Sequence, residues 1–493
     1  MFINRPEIQP AHAARGKAPK HGTLLGRGIG NPEETLTLKK EHLVATLLFV
    51  IAFVFYSVAW RTAPVMTLDG PSYMRLAQEI RDLSLHELSL RTPGLPLLMI
   101  LTGSADHPSR WFFYVSLSLH VLSVAMMAYL LRRLGISARL VLLFTLFGLL
   151  PPFVEPAAYV ASEAASQFTI VLVFTAVVLW LMEPRWIWFV IASLALPLAA
   201  QVRPAYELFP LALIGCLAVG YACGLFPKVT RRKLILIAAV PALLSFAAQA
   251  VWSGINYLNF GYYGTSRMLP IALSTKSGDV LEFLPAQYGE LKTILIPYRD
   301  QNLTEPFGDH RGEEYIYRAM PEILRHFGGD LTAATVNLKA AFIYLVEHKP
   351  MSFVGNGLRS FGLFVMPNEC ELCGSNGLSR SLTAMLQIGL ELVFLLQSVA
   401  LIGMGLIYAP LRMISRVGLS SPNPDSGGYI REWAFGFGVV IVVYTAVVSC
   451  FMGIGISRYR QTVDLLMIAL CVVACTVWRD ILKRASGRPS SID

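Results

Sequence analysis

Apolar segments long enough to cross a lipid bilayer recur along almost the whole chain, and this pattern constrains the fold more than any other feature. A membrane-spanning helix needs about 20 predominantly apolar residues. Only 15% of the residues are charged, whereas a soluble domain carries about 25%. We therefore predict an all-α polytopic membrane protein with about ten transmembrane helices. The predicted spans are 43–60, 111–131, 140–158, 164–182, 186–202, 205–226, 234–253, 382–409, 433–452 and 462–478.

Clusters of lysine and arginine predict the orientation of these spans, because cytoplasmic loops are enriched in both residues. Ten spans with both ends inside place every basic cluster on the same side of the membrane. We then expect a protein of the bacterial inner membrane. Its net charge of +9 is explained by the basic cytoplasmic loops and their contact with anionic lipid, so we expect no nucleic-acid partner. The expected divisions are a disordered basic cytoplasmic tail at 1–42, a transmembrane region at 43–253, a periplasmic region at 254–381, a second transmembrane region at 382–478 and a cytoplasmic tail at 479–493.

The first outward loop, residues 61–110, contains the stretch TLDGPSYMRLAQEIRDLSLHELSLRTPGLP from Thr67 to Pro96. Asp69 stands where a helix N-cap is expected, with Gly70 and a proline behind it. Apolar residues from Tyr73 to Leu83 recur at helical spacing, with charged residues on the other side. This pattern is typical of a helix that lies in the membrane interface. We interpret the loop as catalytic, with the Asp69 carboxylate at the boundary between water and lipid.

Two further carboxylates, Glu155 and Glu163, follow a Pro-Pro break at the outer end of the third predicted span. Acidic residues at helix ends are often solvated caps. Alternatively, one of the two shares a cavity with Asp69. Both readings stay open from the sequence.

Three arginines, Arg203, Arg458 and Arg460, are expected at the outward membrane face although they come from distant segments. An arginine at membrane depth is costly unless it meets an anion or snorkels to the interface. We predict that at least one of them binds a shared anion such as a phosphate. The alternative is that each snorkels or pairs with a nearby carboxylate.

The region 254–381 is the one large soluble part predicted by the sequence. Helical patterns cover about 311–327 and 331–348, and a third pattern at 353–365 is apolar enough to lie on the membrane. Cys370 and Cys373 form a lone CxxC. In an oxidising compartment a local disulfide is favoured over half a zinc site, and free thiols remain an alternative.

Several short motifs occur in an order that resembles a known family. They are the D-x-x-x-Y-x-x-x-A motif that begins at Asp69, the R-x-P-G-x-P motif that begins at Arg91, Ser162–Glu163, Arg203–Pro204, and Arg458–Tyr459–Arg460 before the last span. This layout resembles the GT-C glycosyltransferases of the protein O-mannosyltransferase and lipid A aminoarabinose transferase type (PMT-like). The resemblance covers about the whole chain in layout, and the order of the motifs is its specific part.

The resemblance implies a GT-C-like fold, with interfacial helices in the first periplasmic loop and a small, mostly helical periplasmic region. It also implies inverting transfer of a sugar from a polyprenyl-phosphate donor to a glycan, lipid or protein acceptor. Asp69 matches the family's base. Arg203, Arg458 and Arg460 are expected to bind the donor phosphate, and Tyr73, Arg91 and Tyr459 to line the substrate cavity.

One position departs from the family pattern. Many members place a second acidic residue directly after the aspartate, and here that residue is Gly70. If the mechanism uses a second carboxylate, it must come from Glu155 or Glu163. No metal is required by the sequence, although some GT-C enzymes use one.

Two alternatives to a glycosyltransferase stay open, a lipid-linked glycan flippase or transporter and a non-catalytic envelope assembly protein. Transporters usually carry charged residues at mid-span and have related halves, whereas these spans are apolar. A membrane acyltransferase would need a His-Asp or Ser-His pairing, and the loops contain no convincing one.

Overall fold

The computed structural model describes residues 32–60, 64–67, 69–85, 91–226, 229–304, 315–365, 428–452 and 457–485. These residues are mostly helical and belong to two compact units, Met1–Leu48 and Phe49–Asp493. The predicted span 382–409 and the Cys370/Cys373 pair lie outside the described residues.

The described α-helices are numbered here in chain order. They are α1 (Pro32–Ala59), α2 (Gly70–Arg81), α3 (Gly94–Leu101), α4 (Arg110–Arg133), α5 (Ala138–Gly148), α6 (Pro151–Val154), α7 (Glu163–Met182), α8 (Trp186–Val202), α9 (Phe209–Ala222), α10 (Arg231–Phe260), α11 (Met268–Ser274), α12 (Gly289–Thr304), α13 (Tyr315–His326), α14 (Leu331–His348), α15 (Pro350–Val365), α16 (Gly428–Met452), α17 (Ser457–Arg460) and α18 (Asp464–Ala485). Short 3₁₀ segments lie at Glu155–Ala158, Pro204–Tyr206, Thr275–Phe283 and Ala286–Tyr288, and the strands are β1 (Val65–Met66) and β2 (Tyr159–Val160).

Five helical segments among the described residues are long and apolar enough to cross a membrane. They are Arg110–Arg133, Glu163–Met182, Pro204–Ala222, Arg231–Phe260 and Ile430–Met452, and they coincide with five of the predicted spans. Their length and composition identify a multi-pass membrane protein.

The other predicted spans have different outcomes. The segment predicted as a span at 140–158 is a pair of helices bent by 66°, because Pro151 and Pro152 interrupt the helix. Thr46–Ala59, α8 and Asp464–Thr476 are shorter apolar helices. A total of ten spans therefore stays a prediction. Helix α1 begins at Pro32 and therefore includes residues 32–42 of the predicted tail; the division of the chain into tails and membrane regions stays a prediction.

Helix α7 is the centre of the apolar core. It packs against α4 on one side and α8 on the other, and α8 in turn packs against α10. Nearly all of α7 from Glu163 to Leu181 is buried, as expected for a helix that is apolar all round. Helices α16 and α18 also belong to this cluster. The segment 457–463, which precedes α18, contacts the start of α7 through Gln461 and Gln167.

Strands β1 and β2 form a two-residue parallel pair that the sequence did not predict. Val65 pairs with Tyr159 and Met66 with Val160, and the Thr67 hydroxyl donates a 2.7 Å hydrogen bond to the Val160 carbonyl. Because the strands are parallel and in register, residues at equal distances beyond the paired positions emerge on the same side. Asp69 and Glu163 each stand three residues beyond the Met66–Val160 pair.

Helix α2 confirms the amphipathic helix predicted after Asp69. Tyr73, Leu76 and Ala77 are buried on its inner face. The helix ends at Arg81, so the predicted apolar stripe does not reach Leu83, which is 92% exposed.

Helices α11 to α15 surround a separate apolar core that lies in the region 268–365. Helices α13 and α14 confirm the two predicted helical patterns over their described residues. Helix α15 confirms the third pattern as a helix, with Phe353 and Phe364 on its buried face and Met351 and Leu358 exposed on the other.

Candidate active site

A cavity of about 370 Å³ lies where the first turns of α2 and α7 meet the ends of α8 and α16. This volume falls at the small end of the range for ligand pockets, roughly 300–1,000 Å³. Its walls also include the turn before α11 and α11 itself. The polar and aromatic lining residues are Asp69, Tyr73, Arg91, Ser162, Glu163, Arg203, Glu207, Tyr262, Thr265, Ser266, Tyr317, Tyr444, Ser449 and Tyr459.

Asp69 occupies the N-cap position of α2, but its carboxylate makes no capping hydrogen bond. It is instead turned toward two guanidinium groups, with Arg91 Nη2 at 2.5 Å from Oδ1 and Arg458 Nη2 at 3.3 Å from Oδ2. Burial acts to raise the pKa of the Asp69 carboxyl, but the charges of Arg91 and Arg458 outweigh it and hold that pKa below its ordinary value. With 27% of its side chain exposed, Asp69 is an ionised carboxylate that a substrate in the cavity can reach.

Arg91 is fixed in place by the residues around it. Its guanidinium stacks on Tyr73 at 4.7 Å from the ring centroid, and its Nε donates to Ser72 Oγ at 2.9 Å. Three residues later Gly94 begins α3, where a Cβ atom would stand 2.6 Å from the Gln201 carbonyl. The R-x-P-G motif therefore packs α3 directly on the end of α8 and holds Arg91 against Asp69.

Glu163, the first residue of α7, is the second carboxylate that shares the cavity with Asp69. Arg458 Nε lies 2.8 Å from its Oε1 and Arg203 Nη1 lies 3.7 Å from the same atom. Its side chain is only 3% exposed. Arg458 thus bridges the two carboxylates that the β1–β2 register brings together. Glu155 is buried outside the cavity lining and accepts a 2.9 Å hydrogen bond from the Tyr159 hydroxyl.

Arg203 leaves the end of α8 in an extended conformation and stacks on Tyr459, 4.6 Å from the ring centroid. Its side chain is 12% exposed. The Nη1 atom is buried and has no hydrogen-bond acceptor among the described residues. Arg203 therefore presents a buried, incompletely satisfied guanidinium to the cavity.

The two arginines of the RYR sequence point to different places. Tyr459 lines the cavity, and Arg458 pairs with the cavity residues Asp69 and Glu163 from outside the lining, whereas Arg460 is 1% exposed. Arg460 Nε lies 2.7 Å from Asp464 Oδ1, and its Nη1 donates to the Phe364 carbonyl at 3.1 Å. The single turn of α17 separates the two guanidinium groups, so the structure does not bring Arg460 together with Arg203 and Arg458.

The cavity lining also contains residues that sequence reasoning missed, Glu207, Tyr262 and Thr265. The Thr265 hydroxyl donates to the Glu207 carboxylate. The aromatic, glycine-rich stretch around GYYGTSR was the available signal, but the sequence indicated only a loop at the membrane interface. Nothing in the local sequence linked that loop to Glu207, which lies 58 residues earlier.

Within the described residues, no group of three or more His, Cys, Asp or Glu side chains is placed to hold a metal ion. The expectation that no metal is required stays a prediction.

Neither a family model nor a curated protein sequence matches the chain. Among solved structures, the chain is similar to the archaeal oligosaccharyltransferase AglB from Archaeoglobus fulgidus, in complex with an inhibitory peptide and a dolichol-phosphate. The identity is 14% and the TM-score 0.45, and the match covers 90% of this chain. It covers 51% of the archaeal enzyme, so the chain spans about half the length of that protein.

Proposed function

We propose that this chain is an integral membrane glycosyltransferase of the GT-C type. It transfers a sugar from a polyprenyl-phosphate donor to a glycan, lipid or protein acceptor at the periplasmic face of a bacterial inner membrane. The observation that carries the proposal is a cavity beside an apolar helix bundle, lined by Asp69, Glu163, Arg91 and Arg203, with Arg458 paired to both Asp69 and Glu163. The order of family-like motifs in the sequence supports the same activity.

Asp69 is the proposed base. The acceptor hydroxyl attacks the anomeric carbon of the sugar while the bond from that carbon to the phosphate oxygen breaks on the opposite face. The configuration inverts, the hydroxyl proton passes to Asp69, and polyprenyl phosphate leaves with the bonding electrons. Asp69 suits this role because it is more exposed than Glu163, the other carboxylate paired with Arg458, and a base must come within hydrogen-bond reach of the proton.

Arg203 is the proposed anchor of the donor phosphate. A buried guanidinium with an unsatisfied N–H is costly to the free protein, and a phosphate oxygen satisfies it with a charge-assisted hydrogen bond. Arg458 is the second phosphate ligand in this proposal, since it can exchange one of its two carboxylate partners for the phosphate. The phosphate is the group on which negative charge develops as the bond breaks.

The apolar part of the donor also has a path along the cavity wall. Leu208, Leu269 and Met452 line the cavity and are each 40% or more exposed. They extend the cavity wall toward the apolar surface of the bundle. A polyprenyl chain is the kind of group that such a surface accommodates while the phosphate stays at Arg203.

The remaining site arginines and acids have supporting roles. Arg91 holds Asp69 in position, and Glu163 orients Arg203 and Arg458. Arg460 is assigned to the buried pair with Asp464 and the Phe364 carbonyl, rather than to the donor phosphate.

The proposal is tested with the purified full-length chain in lipid nanodiscs and a panel of polyprenyl-phosphate hexoses with labelled sugars. Membrane extracts supply the acceptor. We expect release of polyprenyl phosphate together with transfer of label from at least one donor, and near-complete loss of both with Arg203→Ala. Arg359→Ala is the matched control, because Arg359 is 66% exposed and outside the cavity.

Transport of an intact lipid-linked sugar across proteoliposomes, without cleavage of any donor, would instead identify a flippase. Such a result would overturn the proposed transfer reaction.

A further inference from the structure

We infer that Glu207 and the turn at residues 262–266 form the part of the cavity that binds the sugar of the donor, with the Glu207 carboxylate accepting hydrogen bonds from sugar hydroxyl groups. This inference rests on the proposed function and identifies a specificity-determining residue for it. It begins from two opposite charges in the cavity lining. Arg203 and Glu207 both line the cavity and stand four positions apart in the chain.

The two charges are joined by a short rigid strap, residues 203–207. The 3₁₀ segment Pro204–Tyr206 lies between them. The Ala205 carbonyl accepts a 2.7 Å hydrogen bond from the Tyr444 hydroxyl, and the Tyr206 hydroxyl lies 2.8 Å from that of Thr462. At about 2 Å of rise per residue the strap separates Arg203 and Glu207 by roughly 8 Å. That length matches the distance from an anomeric phosphate to the far side of a pyranose ring.

The turn opposite the strap is equally well fixed. Trp252 Nε1 donates to the Thr265 carbonyl at 3.1 Å, and Asn256 Nδ2 donates to the Gly264 carbonyl at 2.7 Å. The Tyr262 hydroxyl donates to the Ser266 carbonyl at 3.1 Å. These bonds hold the backbone of the turn, so that the Thr265 hydroxyl meets the Glu207 carboxylate in a prepared geometry.

Hydrogen bonds hold Glu207 in place. Gln249 Nε2 donates to its backbone carbonyl at 3.0 Å, and Thr265 donates to its side chain. No cation forms an ion pair with Glu207 among the residues the structure describes. A partly buried carboxylate that lacks a cation is costly, and it retains acceptor sites beyond the one that Thr265 uses.

Sugar hydroxyls satisfy this requirement. They are neutral donors that a carboxylate binds in pairs, and hydrogen bonds to a charged group are stronger than those between neutral groups. Tyr262 and Tyr317 also line the cavity and offer aromatic faces to the apolar side of a pyranose ring. A phosphate at Arg203 and a ring at Glu207 therefore place the anomeric carbon between them, on the side of the cavity that Asp69 reaches.

The test compares two kinds of probe. One is polyprenyl phosphate without a sugar, and the other is polyprenyl phosphate that carries glucose, mannose or galactose. Binding to the full-length chain in nanodiscs is measured for each. We expect at least one hexose donor to bind the unaltered protein more tightly than polyprenyl phosphate. Glu207→Gln should weaken that donor by about tenfold to a hundredfold and leave polyprenyl phosphate unchanged, whereas Arg203→Ala should weaken both.

A second pair of variants separates recognition from folding. Thr265→Val removes the hydroxyl that orients Glu207 and should weaken the hexose donor several-fold, while Thr265→Ser keeps that hydroxyl and should bind like the unaltered protein. Glu290→Gln is the matched control for the acid, since Glu290 is 79% exposed and outside the cavity.

Equal weakening of both probes by Glu207→Gln, or weakening of neither, would overturn the inference and leave the proposed function standing. If the unaltered protein binds neither probe, the proposed function itself fails, and the inference fails with it.

Discussion

Two corners of the chain, the β1-to-α2 connection (the α2 corner) and the β2-to-α7 connection (the α7 corner), are built alike, but their carboxylates differ in exposure. Each follows one strand of the β1–β2 pair, each presents a carboxylate three residues beyond the Met66–Val160 pairing, and each binds Arg458. Asp69 is 27% exposed, whereas Glu163 is 3% exposed.

Under the proposed function, this difference in exposure assigns different roles to the two acids. The more exposed Asp69 accepts the proton from the bound substrate, and the buried Glu163 organises the cations beside it. Arg91 steadies Asp69 from the α3 side, and Arg203 meets Glu163 from the α8 side. Under the proposed function, the α2 corner accepts the proton and the α7 corner positions the cations.

The same comparison explains why glycine follows Asp69. Gly70 is buried, and a Cβ atom there would collide with the Met66 side chain and contact Val160 Cγ1 at 3.4 Å. A second acid at this position would have to displace the Met66 side chain. Under the proposed function, Glu163, which follows the neighbouring strand, supplies the carboxylate that the family-like pattern places after the aspartate.

The largest expected effect comes from removing the proposed base at the α2 corner. Asp69→Asn keeps the size of the side chain but cannot accept the proton, so we expect the transfer rate to fall by about 10²-fold or more. Donor binding should survive. Single-turnover transfer and donor binding are measured on the same preparation, with Asp106→Asn as the control because Asp106 is exposed and pairs with Arg81, the last residue of α2. Normal turnover in the Asp69→Asn variant would remove Asp69 from the mechanism.

A smaller effect is expected from the α7 corner. Glu163→Gln leaves the base in place but frees Arg458 to pair with Asp69 alone, which makes the Asp69 carboxylate a weaker base. We expect kcat to fall about tenfold while the donor Kd does not rise. A kcat as low as that of Asp69→Asn would show that the two corners are equivalent, and would overturn the division of roles.

Much of the helical framework could be predicted from sequence because its signals are local. The periodic residues of α2, α13 and α14 lie close together in the chain, and Asp69 carries the local signature of a helix start. The sequence also narrowed the second carboxylate to Glu155 or Glu163, because both follow the Pro-Pro break. It could not choose between them, since the choice depends on the β1–β2 pairing, and two residues are too few to show a strand period.

The rest of the site depends on partners that are remote in sequence. Glu207 receives its contacts from Gln249 and Thr265, 42 and 58 residues away. Arg460 was grouped with the phosphate ligands because the RYR sequence directly precedes the last predicted span, but it is bound to a carbonyl 96 residues earlier. Adjacent residues on a one-turn helix point in different directions, and only the packing determines which one faces the cavity.

The pH dependence of the reaction sharpens the comparison further. Asp69 must be ionised to act as a base, so kcat/KM should decline as the pH falls through its pKa, which lies below the ordinary value in the free protein. Arg458→Gln removes a cation that favours the ionised form, so the pKa rises. We expect the acidic limb of kcat/KM to move up by about one pH unit or less. Profiles normalised to their own plateaus are compared, and a limb that moves down or stays fixed would contradict the role of Arg458 at Asp69.

The smallest expected effect concerns the tie between the two corners. Thr67→Val keeps the shape of the side chain but removes the 2.7 Å hydrogen bond to the Val160 carbonyl, at a cost of about 1 kcal/mol. Asp69 follows this hydrogen bond by two residues and Glu163 by three, so loosening it should change the spacing of Asp69 and Glu163 around Arg458 and lower kcat by about twofold to fivefold. Thr293→Val is the control, because its hydroxyl bonds only within α12, to the Gly289 carbonyl. A decline in thermal stability alone, equal in both variants and without a change in kcat, would mean that the arginines position the carboxylates without help from the strand pair. A decline in kcat confined to Thr67→Val would instead make the parallel pair the element that sets the geometry of the site.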